Sequence, residues 1–389
     1  MTTTKRIAFV YYPYNPNTVR LESMPFAINT IDMLTAAGWE VDIFLWEKAA
    51  VNYFDLFDRS AVRILHQKTP RGITRIQLTA KFLTCVNYGC IFAVGQIGSY
   101  LGGVASIASR CPLVIVNDEF PSFWGQSPWA PLERWAARRA EVFILPSGDR
   151  RAQLAKELDL NCDKAFIEIR NTPKIKHPLE ERDWHNILGI PLGKKIFLHA
   201  GSVADWTQVP EILSSVVYWP PNAVVLLHGR ESDHGKYRQQ LSHLDVSGRV
   251  YWSSSPLSER LLNSLVTHCD GNFALFRNNG PNIVLTGTSS GKLMRSLACG
   301  CPVIASNYDS LAFVTSERVG IQVNHPSEIP AAVRELSQSS DAYRARCRSF
   351  AAQEVVRAQE SGKALKVTLR RLGVPLPSPS AGIGVKARA

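Results

Sequence analysis

Short apolar runs alternate with amphipathic segments along this 389-residue chain. The runs are rich in β-branched and aromatic residues, which predicts buried strands, and helical periodicity fills several of the intervals. The first run is RIAFVYY at 6–12, and it is followed by a predicted helix over 21–37 that Gly38 ends. Strands separated by helices favour a parallel sheet with helices on both faces.

The strand pattern occurs in two successive series. The first continues with WEVDIFLW (39–46), AVRIL (61–65), CIFAV (90–94), PLVIV (112–116), EVFIL (141–145) and FIEIRNTPK (166–174). The second contains KKIFLHAG (194–201), NAVVLLHG (222–229), RVYWS (249–253), GNFALF (271–276), CPVIAS (301–306) and GIQVN (320–324). We therefore predict an α/β protein with two Rossmann-like domains that face each other across a cleft.

The predicted domain boundaries follow from these two series. The N-terminal domain covers 1–172 and the C-terminal domain covers 173–340. A long helical pattern then predicts a terminal basic helix over 341–372. The Pro, Ser and Gly content of 373–389 predicts a disordered tail.

One segment raises the question of a membrane span. No charged residue occurs over 82–109, which is long enough for a transmembrane helix. The segment also contains Asn87, Gln96 and five glycines, which break it into shorter elements. A buried strand over 90–94 and a buried helix over 99–108 explain the pattern better.

Composition and charge narrow the classes of protein. The chain is 45% hydrophobic and 20% charged, which is sufficient for ordinary cores. Its formal charge is +11, but the last 49 residues alone contain 10 basic and 3 acidic residues. Because both predicted domains are nearly neutral, a nucleic-acid-binding face is not expected.

The cysteines and the N-terminal segment indicate a cytoplasmic protein. None of the eight cysteines forms a CxxC pair, and no histidine cluster has zinc spacing, so we expect reduced thiols and no metal. The opening MTTTKRIAFVYY leads directly into a strand without the apolar core of a signal peptide.

The segment TGTSSGKLMRSLACGCPVIAS (286–306) is the strongest chemical feature. Ser289 and Ser290 are suited to cap a helix that begins near Gly291. Free backbone N–H groups and the helix dipole at such an end attract anions, and Lys292 and Arg295 add positive charge. The pattern predicts a diphosphate-binding turn, and a capped helix with two solvated cations is the alternative. The spacing does not match a Walker A motif.

The same segment resembles the family 4 group of GT-B glycosyltransferases. The motif n-x-x-x-t-x-x-x-S-x-K-L is visible as Asn282, Thr286, Ser290, Lys292 and Leu293, and ACGCPVIAS (298–306) resembles the motif A-x-G-x-P-V-I-A. FLHAGSVADWTQVPEIL (197–213) and AVVLLHGRE (223–231) resemble the preceding strands and glycine loop. The resemblance implies transfer of a sugar from a nucleotide-diphosphate donor to an acceptor, with the nucleotide sugar as substrate and no cofactor. The helix turn, the glycine loop and the cation Arg230 together give the predicted donor-binding residues, which are Gly201, Ser202, Arg230, Ser289, Ser290, Gly291, Lys292 and Arg295.

Three departures from the family pattern keep other functions open. The arginine and lysine that often follow the family's glycine loop and contact donor phosphate align with residues 202–208, which contain neither, so Lys292 and Arg230 would supply positive charge instead. The glutamate that typically contacts the donor ribose aligns with Arg295, and the earlier glutamate of the pair aligns with Gly287. The alternatives are a catalytically degenerate GT-B binding or scaffold protein and a GT-B sugar-nucleotide epimerase.

Acceptor chemistry is expected at the carboxyl ends of the N-terminal strands. The run over 113–116 ends at Asn117, and Asp118 and Glu119 then supply a carboxylate that could act as a base toward an acceptor hydroxyl. The alternative is that one of them caps the next segment. By resemblance, Asn17 and Thr18 line the acceptor side.

Two further features have competing interpretations. The aromatic-rich loop FPSFWGQSPW (120–129) would either stack on a sugar or lipid acceptor or pack in the core. The basic terminal helix over 341–372 would either pack between the domains with a solvated face or attach the protein to anionic lipid at the inner face of a membrane.

Overall fold

The computed structural model describes most of the chain. The described residues are 6–12, 21, 24–45, 57, 60–66, 83, 86–117, 119–125, 127–160, 163–175, 179–204, 206–229, 231–245 and 247–376. The chain divides into two compact units, one formed by Met1–Arg170 with Ala358–Ala389 and the other by Asn171–Arg357. The predicted domain boundaries at 172 and 340 remain predictions.

The first unit contains a parallel sheet of seven strands in the order β3-β2-β1-β4-β5-β6-β7. The strands are β1 (Arg6–Tyr11), β2 (Glu40–Leu45), β3 (Val62–His66), β4 (Cys90–Val94), β5 (Leu113–Val116), β6 (Val142–Leu145) and β7 (Ala165–Glu168). β1 lies between β2 and β4, so that Ile7 pairs with both Val41 and Cys90. The five inner strands are almost entirely buried, as expected of a sheet covered on both faces, whereas the edge strands β3 and β7 are partly exposed.

Helices connect the strands of the first unit. They are α1 (Pro25–Ala36), α2 (Gly95–Ser109), α3 (Ala130–Arg139) and α4 (Arg151–Leu158). The predicted strand and helix within the charge-free segment are both confirmed, but α2 begins four residues earlier than predicted. Gly95, at a φ of 75°, permits that early turn. Within the described residues, no helix has the length and apolar character needed to cross a membrane.

The second unit contains a parallel sheet of six strands in the order β10-β9-β8-β11-β12-β13. The strands are β8 (Lys195–Ala200), β9 (Ala223–His228), β10 (Val250–Ser253), β11 (Gly271–Ala274), β12 (Val303–Ser306) and β13 (Gly320–Val323). The sequence predicts each of these strands from its apolar run.

The helices of the second unit end with one long helical run. They are α5 (Trp184–Leu188), α6 (Val209–Ser215), α7 (Glu231–Leu241), α8 (Glu259–His268), α9 (Pro281–Val284), α10 (Gly291–Ala298), α11 (Phe313–Ser316) and α12 (Ile329–Arg371). α12 has a non-helical break at Ser339, so the predicted terminal helix is its second part. Residues of α12 up to Arg357 belong to the second unit, and those from Ala358 belong to the first.

In each sheet there is one point at which the order of adding strands reverses, and this is called the reversal point below. The chain builds outward from β1 and then restarts at β4, and it does the same at β8 and β11. Parallel α/β sheets of this kind bind ligands outside the carboxyl ends of the strands at the reversal. The α/β prediction with two Rossmann-like sheets is confirmed, and the fold directs attention to residues that follow β1, β4, β8 and β11.

Candidate functional site

A glycine loop follows β8 at the reversal point of the second sheet. Gly201 has a φ of 120°, which side-chain-bearing residues rarely adopt, and its N–H donates to the His228 carbonyl over 2.8 Å. A Cβ at this position would lie 3.5 Å from Cε of Lys292 and 3.9 Å from its Nζ. The Nε2 atom of His199 lies 3.2 Å from the Ser202 carbonyl oxygen, which holds the loop in place. The predicted donor residues Gly201, Ser202 and Lys292 are therefore brought together.

The turn before α10 is fixed by hydrogen bonds. The Ser290 hydroxyl accepts from the Leu293 N–H over 3.3 Å and is the N-cap, as predicted. The Ser289 hydroxyl donates to the Thr286 carbonyl. The Asn171 side chain donates to the Ser289 carbonyl over 2.9 Å. These contacts orient the first N–H groups of α10 and leave its positive dipole end available for an anion.

Lys292 lies in the first turn of α10 with its amine buried. Among the described residues, Nζ has no hydrogen-bond partner, and it lies 5.6 Å from the centroid of the Phe276 ring. Burial lowers the pKa of Lys292 to about 7. A buried amine without an acceptor costs free energy, so this arrangement favours an anionic ligand at this position.

Phe276 is itself held firmly in the segment that follows β11. Its N–H donates to the Ser306 hydroxyl over 2.8 Å, and its ring stacks on Trp206 with centroids 6.0 Å apart. Thr207, from the glycine-loop segment, pairs with Phe276 in an isolated bridge. Lys292 therefore lies next to both segments that follow the strands of the reversal point, β8 and β11.

Arg295 has different surroundings from Lys292, although only three residues separate them. Its guanidinium donates to both carboxylate oxygens of Glu259, over 2.6 and 3.2 Å, and to the Asn263 side chain over 2.6 Å. All three bonds join α10 to α8. The structure therefore engages Arg295 in a contact between helices and does not place it with the Lys292 amine.

Four predicted site residues lie outside the described part of the chain. They are Asn17, Thr18, Asp118 and Arg230. Their predicted roles, in acceptor binding, base catalysis and donor binding, remain predictions.

The carboxyl end of β5 carries the remaining predicted catalytic residue, Glu119. The preceding Asn117 is buried, and its side-chain amide donates to the Glu119 carbonyl over 3.0 Å. The Oδ1 atom of Asn117 is buried without a hydrogen-bond partner among the described residues. Glu119 is half-buried at this edge of the sheet, where the sequence predicted it.

The aromatic-rich loop after Glu119 is partly a core feature. Phe120 is fully buried, and the Arg150 guanidinium lies 4.1 Å from its ring centroid, which favours the packing interpretation for this residue. Trp129 is half-buried, and its ring lies 6.3 Å from that of Tyr100. The side chains of Phe123 and Trp124 lie outside the described part of the structure.

Sequence reasoning missed a polar cluster at the reversal point of the first sheet. Gln96 follows β4 directly and donates to the Glu133 carboxylate over 2.8 Å. The Ser127 hydroxyl donates to the Gln96 side-chain oxygen over 2.6 Å. Gln96 and Glu133 are both buried. The residues are distant in sequence and form no motif, so only the topology of the sheet could have indicated them.

In the part of the chain that the structure describes, metal-binding and thiol chemistry indicate no second site. Within the described residues, no group of three or more His, Cys, Asp or Glu side chains could hold a metal ion. The cysteines in that part of the chain are free and buried. Burial raises the pKa of Cys111 and of Cys299 to about 11, so both are thiols rather than nucleophilic thiolates at neutral pH.

Solved structures share this fold, although no protein-family model and no curated protein matches the chain. HepE from Anabaena, in complex with UDP and glucose, matches with a TM-score of 0.69 and 16% identity, over 93% of this chain and 99% of that chain. Sucrose-phosphate synthase from Thermosynechococcus elongatus matches with a TM-score of 0.68 and 16% identity, over 95% and 99%. A putative UDP-N-acetylglucosamine 2-epimerase from Listeria monocytogenes matches with a TM-score of 0.61 and 10% identity, over 97% and 100%. HepE and sucrose-phosphate synthase have the GT-B fold, and the predicted GT-B fold of this chain is thereby confirmed.

Proposed function

We propose that this protein is a GT-B glycosyltransferase, related to family 4, that transfers a sugar from a nucleotide-diphosphate donor to an acceptor hydroxyl. The observation that carries the proposal is the buried, unpartnered amine of Lys292 beside Gly201 and the first turn of α10. A donor diphosphate supplies the negative charge and the acceptor oxygens that this position lacks. The complexes of HepE with UDP and with UDP-glucose make uridine nucleotides the first to test.

In the proposed reaction, the second unit stabilises the leaving group. Negative charge develops on the diphosphate as its bond to the sugar breaks, and a cation and helix N–H groups already in place stabilise that charge. Lys292 and the N–H groups after Ser290 are assigned this role, and Ser202 and Arg230 complete the donor contacts. None of these residues needs a metal ion in order to stabilise the diphosphate.

The first unit is proposed to bind the acceptor. Asp118 or Glu119 accepts the proton of the acceptor hydroxyl, and Asn17 and Thr18 contribute to acceptor binding. The support is the position of Glu119 after β5, at the edge where parallel sheets bind ligands.

A thermal-shift screen tests the proposal. Wild type, Lys292→Met and the control Arg334→Met are screened with UDP, GDP and ADP sugars. Arg334 is an exposed cation of α12, so its replacement removes one charge from the same unit without touching the site. We expect one nucleotide class to raise the melting temperature of wild type and of the control but not of Lys292→Met. An equal shift in all three proteins would contradict the assignment of Lys292.

The contact of Arg295 with Glu259 favours a second candidate, a nucleotide-binding protein that does not transfer sugar. This pair occupies the place where the family resemblance expects a ribose-binding glutamate. Incubation of the stabilising nucleotide sugar without acceptor separates the options. An unchanged donor supports transfer or simple binding, whereas a change in the sugar of the donor would identify an epimerase. Release of nucleotide diphosphate on addition of candidate acceptors then distinguishes transfer from binding.

We further propose a cytoplasmic protein that contacts an anionic membrane surface through the end of α12. Lys363, Lys366, Arg370 and Arg371 are exposed there. Each well-placed cation near an anionic surface contributes about 1 kcal/mol. Sedimentation with phosphatidylglycerol vesicles, compared with phosphatidylcholine vesicles, should show binding that is lost when all four become glutamine. Equal sedimentation of the variant would contradict this contact.

A further inference from the structure

The surroundings of the Lys292 amine provide no counter-charge within the described residues. Nζ lies near the ring of Phe276 and beside the position of Gly201, which are both neutral, and burial is the only cause of its pKa shift, with no charged neighbour contributing. An ammonium group in such a place has lost its water and has gained no carboxylate. The neutral amine is correspondingly favoured while the site is empty.

On the neighbouring elements, the charged and titratable groups that the structure describes have other partners. Arg295, on the same helix, binds Glu259 of α8. Arg277, beside Phe276, binds Glu211 of α6. At the ends of β8 and β9, the Nε2 atom of His199 faces the Ser202 carbonyl, and the Nδ1 atom of His228 lies 3.1 Å from the Ser253 hydroxyl.

From this geometry we infer that Lys292 takes up a proton from solvent when the donor diphosphate binds. The inference rests on the proposed function and adds to it a coupling between pH and donor affinity. The uncharged amine becomes an ammonium group that the diphosphate oxygens surround, and no bond of the donor breaks in this step. The cation that stabilises the leaving group is thus fully formed only in the presence of the donor.

The pKa of Lys292 determines the pH range in which donor affinity depends on pH. Burial lowers its pKa to about 7, and an adjacent diphosphate raises it again because opposite charge favours the ammonium form. Above pH 7 the free protein must gain a proton to bind the donor. The affinity for the donor then falls by up to about tenfold for each unit of pH, until the pKa of the bound state is reached.

Calorimetric titration with UDP-glucose at pH 8 measures this proton. The diphosphate of UDP-glucose does not titrate near neutral pH, so any proton taken up goes to the protein. The binding heats in HEPES and in Tris are compared, because their different ionisation enthalpies report the number of protons exchanged. From a pKa of about 7 in the free protein, we expect an uptake of roughly 0.9 proton.

Lys292→Arg is the matched variant, because arginine keeps its charge at every pH used. It should bind UDP-glucose with almost no proton uptake. Uptake that persists in this variant would assign the proton to His199 or His228 and overturn the inference. If the variant fails to fold in a thermal melt, the affinity of wild type between pH 7 and 9 decides instead, and a constant affinity would overturn the inference. Binding without proton uptake leaves the proposed function intact, whereas the absence of binding to any nucleotide sugar contradicts both.

Discussion

At the reversal point of the first sheet a buried carboxylate, Glu133, accepts a hydrogen bond from Gln96, whereas at that of the second sheet a buried amine, Lys292, lacks an acceptor among the described residues. Both sheets are parallel and both reverse in the same manner. The first cluster satisfies its polar atoms internally and therefore stabilises the fold. The second leaves a buried amine without an acceptor among the described residues. Unmet hydrogen-bonding capacity, rather than burial of a charge as such, distinguishes a ligand site from a structural cluster.

The structural character of the first cluster predicts a clear loss of stability when it is disrupted. Glu133→Ala leaves the amide of Gln96 without its acceptor and should reduce the free energy of unfolding by about 1–3 kcal/mol. Urea unfolding checks this value. Glu133→Gln, which keeps an acceptor oxygen, is the control and should retain most of the stability. A Glu133→Ala variant as stable as wild type would remove the contrast between the two clusters.

The glycine loop predicts an effect on both stability and binding. Gly201→Ala forces a side chain into a left-handed conformation and against Lys292, at a cost of about 1–3 kcal/mol. Gly189→Ala is the control, because Gly189 also has a positive φ but has open space around it. Thermal melts with and without UDP-glucose should show destabilisation in both variants and weaker nucleotide binding only in Gly201→Ala. Equal nucleotide binding by both variants would contradict the position assigned to the loop.

Arg295 provides a smaller test within α10. Arg295→Met removes the bonds to Glu259 and Asn263, and should lower stability by about 1 kcal/mol because the pair is partly exposed. Its affinity for the nucleotide sugar should stay within about threefold of wild type, measured by calorimetry. A loss of affinity comparable to that of Lys292→Met would show that Arg295 binds the donor directly, as the sequence pattern alone predicts.

Local patterns predicted those parts of the molecule that depend on neighbours in sequence. The strands follow from their apolar runs, and the cap at Ser290 follows from the Ser-Ser-Gly run before a helix. The prediction of Lys292 as a donor-binding residue rests on the same kind of signal, because a cation in the first turn of a helix is visible in the local sequence. The early start of α2 was not predicted, because Gly95 and Gly98 are residues that usually mark breaks between elements. The break at Ser339 was not predicted either, because no glycine or proline lies next to it.

Long-range contacts explain what the sequence could not show. The partner of Arg295 is Glu259, 36 positions earlier, so spacing along α10 placed both cations in one site although their surroundings differ. Gln96, Ser127 and Glu133 are joined only by packing of the loop and α3 against α2. The burial that lowers the pKa of Lys292 likewise comes from segments that follow two distant strands.

In the proposed function, Lys292 reduces the stability of the free protein and is required for donor binding. Burial lowers its pKa to about 7 from an unfolded value of 10.5, so the unfolded state binds more protons between these values and the contribution of this group to stability rises with pH across that window. Below pH 7, Lys292 lowers the free energy of unfolding by its full amount.

Chemical unfolding of wild type and Lys292→Met from pH 6 to pH 9, with and without UDP-glucose, tests this claim directly. We predict that the variant is more stable at pH 6 by about 1 kcal/mol or more, that its advantage shrinks as the pH rises above 7, and that the nucleotide sugar stabilises wild type alone. A variant that is less stable than wild type at pH 6, or that UDP-glucose stabilises as strongly, would contradict the account.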